Sequence, residues 1–377
     1  MREAKKKMEN KADLRKVFRE IISFHKPEYF PHFEAWGFWN ETIERWHKEG
    51  LPLDKTPWEF FKLDQFMSNA PEELSYYTPN RITQIPYWPP FEYKLLEETD
   101  SYVVQRESDG IVKKQLKGKT SMPQFLDFPV KTRKDWENLK WRLDPHTKDR
   151  YKGIKEISKS FNNRSTIVPF VICGGYGFPR NLFGEVNLAY IYYDDPKLLH
   201  KIMEHWVYFY TGIADNLCPL IDFDYVYIWE DMAYKTSSLI SPKLFSEFIL
   251  PYYKELTIYL KERYKLDIFL VDSDGNNFPL LPLFIEAGIN IFMPCEINAG
   301  MEPLLIREKF PNLALLGGIN KQVLSRGKEE IKKEILGKVP KMLEDGGYFP
   351  SVDHLIPADV SFENFCYYIE ILREVEK

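Results

Sequence analysis

Six times in its last two thirds the chain passes from a short β-branched or aromatic run, through polar or glycine residues, into a helical stretch. The runs are residues 166–173, 224–229, 266–271, 290–294, 313–316 and 348–352. Between them lie amphipathic segments such as 242–264, which opens with Ser241 placed as the cap and Pro242 at the first helical position. Successive βα units with near-continuous apolar strands predict a parallel sheet covered by helices, either an open doubly wound sheet or a closed eight-stranded barrel. Two more strands close the barrel. Residues 29–38, followed by helical 40–49, supply one, and the region before 166 supplies the other. The expected fold class is α/β, a (β/α)8 TIM barrel forming a single domain over residues 1–377.

Two stretches do not fit the repeat. Residues 102–116 (YVVQRESDGIVKKQL) are two alternating runs joined by Asp109-Gly110, a strong hairpin signal. Residues 58–90 are rich in Pro, Tyr and Trp and have no clear period. Together, 58–125 reads as an irregular segment and β-hairpin insertion covering the barrel, and 1–28 as an N-terminal helix.

Composition excludes several function classes. The 51 Lys and Arg against 56 Asp and Glu give a net charge of −5 with both signs interspersed, so no basic field condenses nucleic acid or an anionic bilayer. No window has the roughly 18 uninterrupted apolar residues of a spanning helix. The charged N-terminus lacks the apolar stretch of a secretory signal, so a cytoplasmic protein is expected. Cys173, Cys218, Cys295 and Cys366 are far apart and form no CxxC pair. The unusual feature is the aromatic load of 27 Phe, 23 Tyr and 9 Trp.

In a parallel α/β barrel the strand C-termini form the active face, and here they are acidic. They carry Glu230-Asp231, Asp272-Ser273-Asp274-Gly275-Asn276-Asn277, Cys295-Glu296, Gly317 to Lys321, and Asp353-His354. Asp272 and Asp274, two apart, point to one side if the extended backbone continues past the strand. With His354 they form a set of oxygen and nitrogen donors suited to zinc or another divalent ion, and Cys295 or Glu296 is a candidate further ligand. The alternative for DSDGNN is a helix-capping turn. Of the adjacent pair Glu230 and Asp231 only one can face the mouth, and Glu230 is favoured as a general acid or base. Cys295, flanked by Phe292, Met293 and Pro294, reads equally as an inert buried thiol. Cys173-Gly174-Gly175-Tyr176-Gly177 does not satisfy GxGxxG, and a tight βα turn explains its glycines as well as a phosphate cradle does.

Several strings carry a family resemblance. They are ISPKLF with FILPY (240–252), DSDGN, IEAG (285–288), CEINAGM (295–301), LLGGINK (315–321) and GGYFPSVDHLIPADVSFEN (346–364). Together with EAWGFWNETIERWHKEGLP and SMPQFLDFPVKTRKDWENL near the N-terminus, they resemble the uroporphyrinogen decarboxylase superfamily, in a divergent branch near the corrinoid-dependent methyltransferases. The resemblance implies a (β/α)8 barrel and two known chemistries. Decarboxylases grip a polyanionic tetrapyrrole with an Arg-rich motif after the first strand. The matching place here reads Phe33 to Trp39 and lacks the arginine pair, while His354 matches the family histidine. The related methyltransferases ligate zinc through HxC and a later Cys. Those places here hold Asp272-Ser273-Asp274 and a position at or beside His354.

The expectation is therefore a metal-assisted methyltransferase moving a methyl group between a small, aromatic substrate and a corrinoid on a partner protein. Its catalytic residues are Glu230, Asp272, Asp274 and His354, and Trp36, Phe38, Trp39, Trp88, Tyr176 and Lys321 bind substrate. The alternatives are a cofactor-free decarboxylase or lyase using the same acids as proton donors, and a non-catalytic barrel. A homodimer is implied by the resemblance alone.

Overall fold

In the computed structural model, which describes residues 13–64, 87–118, 122–162, 164 and 166–376, the strand and helix signals sort into two compact units. One unit is Asn69–Asn162 with Pro169–Ile289; the other is Met1–Ser68, Asn163–Val168 and Asn290–Lys377.

The first unit opens with an antiparallel sheet, β1 (Lys94–Glu98), β2 (Tyr102–Arg106), β3 (Val112–Leu116) and β4 (Gln124–Asp127), paired in chain order. The expected hairpin is its centre, in register from Tyr102↔Leu116 to Arg106↔Val112. Gly110 turns it at φ +82°, and the Asp109 carboxylate accepts the Ile111 N–H at 2.9 Å. The flanking strands lack the clear alternation that marks the hairpin. Of the segment 58–125, residues 65–86 and 119–121 lie outside the described residues, as do residues 1–12 of the N-terminal helix. The rest of that helix is Leu14–Ile22, capped by Asp13.

Next come the parallel strands β5 (Pro169–Cys173), β6 (Tyr225–Trp229) and β7 (Phe269–Asp272), hydrogen-bonded in that order. On β6, Val226 and Ile228 are buried, while Tyr227 and Trp229 on the opposite face keep some access to solvent. Period-two alternation therefore makes one face of this strand apolar packing and opens the other toward its C-terminal end. The expected helix 242–264 starts as predicted, with Ser241 Oγ accepting the Leu244 N–H at 3.2 Å. It breaks at Ile249 into Pro242–Phe248 and Leu250–Tyr264, because Pro251 has no N–H to continue the first helix and suits the start of a second.

The second unit holds β8 (Ile291–Met293), β9 (Ala314–Ile319) and β10 (Tyr348–Val352), also parallel and paired in that order. Strand β9 runs three residues past its expected end. At Gly317 a Cβ would lie 2.1 Å from the Pro294 carbonyl oxygen, so only glycine permits that approach. Residues 29–38 do not form the expected strand. Pro31 offers no donor and Gly37 sits at φ +76°, so Phe38 makes a single bridge to Ile356. The α/β class stands, with six of the eight expected parallel strands among the described residues, three in each unit.

The core of the second unit joins segments some 300 residues apart. Trp46, fully buried, packs among Phe38, Phe61, Phe362 and Phe365 at ring-centroid distances of 4.8–6.1 Å. Its Nε1 donates to the Val360 carbonyl at 2.8 Å. Replacing Trp46 with Ala empties this site and strands that carbonyl. A loss of about 3–5 kcal/mol is expected in urea unfolding monitored by circular dichroism.

Candidate functional site

The open face of the first unit carries its most unusual acid. Asp272 ends β7 and pairs in register with Trp229 at the end of β6. Tyr227, two residues before Trp229 and on the same face, donates its hydroxyl to Asp272 Oδ2. Asp272 is 2% exposed, and that phenol is its hydrogen-bond donor among the described residues, with no backbone N–H bonded to the carboxylate. Burial pushes its pKa well above the usual carboxylate range, and the charges of Asp274 and Asp231 push the same way against the Tyr227 bond. Asp272 is thus held toward the neutral acid.

Glu230 and Asp231, adjacent at the end of β6, meet different surroundings. Glu230 is fully buried. Its Oε2 accepts the N–H groups of Tyr176 and Gly177, both at 2.9 Å, and its Oε1 accepts the Tyr253 hydroxyl. The carboxylate fills the space beside Gly174, where a Cβ would come within 2.3 Å of it. The glycine-rich loop after β5 is therefore an amide cradle already occupied by the chain's own acid. Tyr176, expected to bind substrate, is buried at this loop. Asp231 is half-exposed at φ +48°, and both its backbone oxygen and Oδ2 accept Arg180 Nη1, at 2.6 and 2.8 Å.

The loop after β7 is closed by its own serine and asparagines, with no side-chain cap from Asn277 on the turn that follows. Asn277 Nδ2 donates to the carbonyls of Ser273, Asp274 and Gly275, Ser273 Oγ donates to Asn277 Oδ1, and Asn276 Oδ1 accepts the Phe278 N–H. Gly275, at φ +80°, is required because a Cβ would meet the Ala233 carbonyl oxygen at 2.4 Å. Asp274 lies half-buried in this turn. Trp88, also half-buried, donates its backbone N–H to the Arg142 carbonyl at 2.7 Å.

In the second unit His354 stacks on Trp36, ring centroids 5.3 Å apart and planes at 20°. Its neighbour Asp353 is fully buried and ties two loops together, Oδ1 accepting the Lys321 N–H at 3.0 Å and Oδ2 the Ile297 N–H at 3.1 Å. Glu34, overlooked in the sequence, accepts Ser351 Oγ at 2.9 Å and Val352 N–H at 3.0 Å. Burial raises its pKa to about 7, against the Tyr368 hydroxyl, Val352 N–H and Ser351. Phe38 belongs to the Trp46 cluster and Trp39 to the start of the helix Asn40–Glu49, so both have structural contacts. Glu296 and Lys321 are half-buried at their loops. Cys295 is fully buried at φ +56°, and burial pushes its thiol pKa up.

The zinc expectation does not fit these donors. Among the described residues no three His, Cys, Asp or Glu side chains are gathered closely enough to hold a metal ion. The residues with the clearest chemistry that the sequence left unmarked are Tyr227 and Arg180. Alternation along β6 places Tyr227 beside Asp272. Arg180 carried no comparable signal, since its role depends on Asp231 turning back toward it.

Two predictions follow from the buried acids. Glu230→Ala leaves two amides and a phenol without their acceptor and should cost about 2–4 kcal/mol in urea unfolding, with Glu230→Gln recovering part of it. For Glu34 the folded-state pKa lies above the unfolded value of 4.5, so the folded chain holds the extra proton between pH 4.5 and about 7. Its contribution to stability is full below that window and lost as pH rises through it, by at most about 3 kcal/mol. Glu34→Gln should flatten this part of the stability–pH curve, and an unchanged slope would contradict the assignment.

No helix among the described residues is long and apolar enough to cross a membrane. The family model for uroporphyrinogen decarboxylase (URO-D) matches residues 115–375. Uroporphyrinogen decarboxylase 2, chloroplastic, of Oryza sativa subsp. japonica is 24% identical over 235 residues, which are 59% of this chain and 56% of that protein. The match thus spans little more than half of the rice protein's length. A methyltransferase from Methanosarcina mazei has a solved structure similar at TM-score 0.52 and 13% identity, covering 97% of this chain and 99% of that one, a likeness of fold. With the family model matching more than two thirds of its length, the chain belongs to the uroporphyrinogen decarboxylase family.

Proposed function

We propose that the chain is an enzyme in which Asp272 protonates the departing heteroatom of a small methylated aromatic substrate while the methyl group passes to a corrinoid on a separate protein. The observation that carries this reading is the state of Asp272: a buried carboxyl at a strand C-terminus, held by a phenol and no backbone amide. An alkoxide or phenoxide is a poor leaving group unless its charge is met as it forms, and a positioned neutral acid typically supplies about 10²–10⁴-fold in rate. The methyl–oxygen bond breaks with its electron pair staying on oxygen, which takes the Asp272 proton. A reduced corrinoid on the partner protein would supply the electron pair that accepts the methyl carbon. Tyr227 then stabilises the Asp272 carboxylate until solvent returns the proton. Glu230, enclosed by amides, acts in this reading by positioning the loop after β5. The methyltransferase fold neighbour and the missing arginine pair at Phe33–Trp39 support methyl transfer over action on a polyanionic tetrapyrrole.

Decarboxylation is the second reading, supported by the same acid: after loss of carbon dioxide the carbon takes the Asp272 proton. The test is incubation with reduced cobalamin and a panel of methoxylated aromatics, followed by the absorbance of methylcobalamin, beside uroporphyrinogen with porphyrin products read by chromatography. Methyl transfer by the wild type, lowered about 10²-fold or more in Asp272→Asn at unchanged thermal stability, is the expected result. Porphyrin turnover without methyl transfer would replace it with the decarboxylase reading.

A further inference from the structure

We infer that Arg180 is the anion-recognising residue of this site, and that the substrate class is an aromatic compound bearing a single carboxylate. The inference rests on reading the ends of β6 and β7 as the reacting centre. Arg180 lies in the helix Gly177–Phe183, and its guanidinium sits over the Trp229 ring, 4.8 Å from the centroid. Trp229 is on the β6 face that carries Tyr227, and it pairs in register with Asp272.

The guanidinium is held by one nitrogen. Nη1 is bonded to the Asp231 backbone oxygen and Oδ2, while Nη2 and Nε have no acceptor among the described residues. The side chain is 12% exposed, enough to be reached and too little to swing freely. Asp231 adopts the left-handed backbone at φ +48°, unfavourable for a residue with a Cβ, and in that conformation presents both acceptors to one nitrogen. Strain is thus spent on fixing a planar cation by a single arm. A guanidinium over an indole, anchored through Nη1 with its other donors unused among the described residues, suits a carboxylate, which it binds with charge-assisted bonds. One such group matches one acid function. The Trp229 ring beside it offers a flat apolar surface for the rest of a small aromatic molecule.

The test is binding without turnover. Ligand-observed NMR or calorimetry near neutral pH compares 4-methoxybenzoate with 4-methoxybenzamide, nearly the same in shape but neutral, on the wild type, Arg180→Gln, Arg180→Lys and Asp272→Asn. The wild type should prefer the carboxylate by at least about tenfold. Arg180→Gln should erase the preference while leaving amide binding in place, and Arg180→Lys should keep part of it. Asp272→Asn should retain it, so an enzyme inactive on every methyl donor leaves this result standing. Equal binding of the two ligands, a preference that survives Arg180→Gln, or no binding of either would overturn the inference. Thermal unfolding of each variant separates lost recognition from lost structure.

Discussion

Buried carboxylates join separate segments within each unit of this structure. A desolvated acid is unfavourable unless donors meet it, and three of them are met by backbone amides of another loop or strand. Glu230 gathers the amides that begin the helix after β5, Asp353 those of the loops after β8 and β9, and Glu34 the last amide of β10. Each acid is thus a stitch between segments, and removing it leaves orphaned donors in an apolar setting.

Asp272 departs from that rule. It occupies the corresponding place at the end of β7, yet among the described residues no backbone N–H is bonded to its carboxylate, and its partner is a phenol whose own pKa is pushed up by burial. The difference between an acid that holds a loop and an acid that can give up a proton lies in this choice of donor. Burial pushes all four acids upward; amide contacts oppose that push at Glu230, Asp353 and Glu34, whereas at Asp272 one hydroxyl opposes it and two negative neighbours add to it.

Much of the α/β pattern was legible because strand periodicity and turn chemistry are local. The six βα runs, the Asp109-Gly110 hairpin and the Ser241 cap all appear where residue spacing put them. Residues 29–38 were misread because their apolar content resembles a strand, whereas Pro31 and Gly37 deny them a ladder. The acidic character of the strand ends was also legible. What each acid does was not, since the division of Glu230 from Asp231, and the standing of Arg180, depend on which amides and rings lie nearby in three dimensions. The candidate zinc donors meet the same limit: ligand types at family positions do not say whether the side chains gather, and among the described residues they do not.

The Trp46 cluster has a consequence for the order in which the chain can assemble. The unit that contains it draws on residues 13–64 and on everything after Asn290, while the other unit is continuous apart from six residues. On a ribosome the early segment emerges with its aromatic rings lacking Phe362 and Phe365, and it must wait through more than three hundred residues of synthesis before they arrive. The intervening unit can complete its own core meanwhile. The earlier-made part of this unit is therefore buried only after the later segment arrives, and until then it offers a chaperone exposed apolar surface.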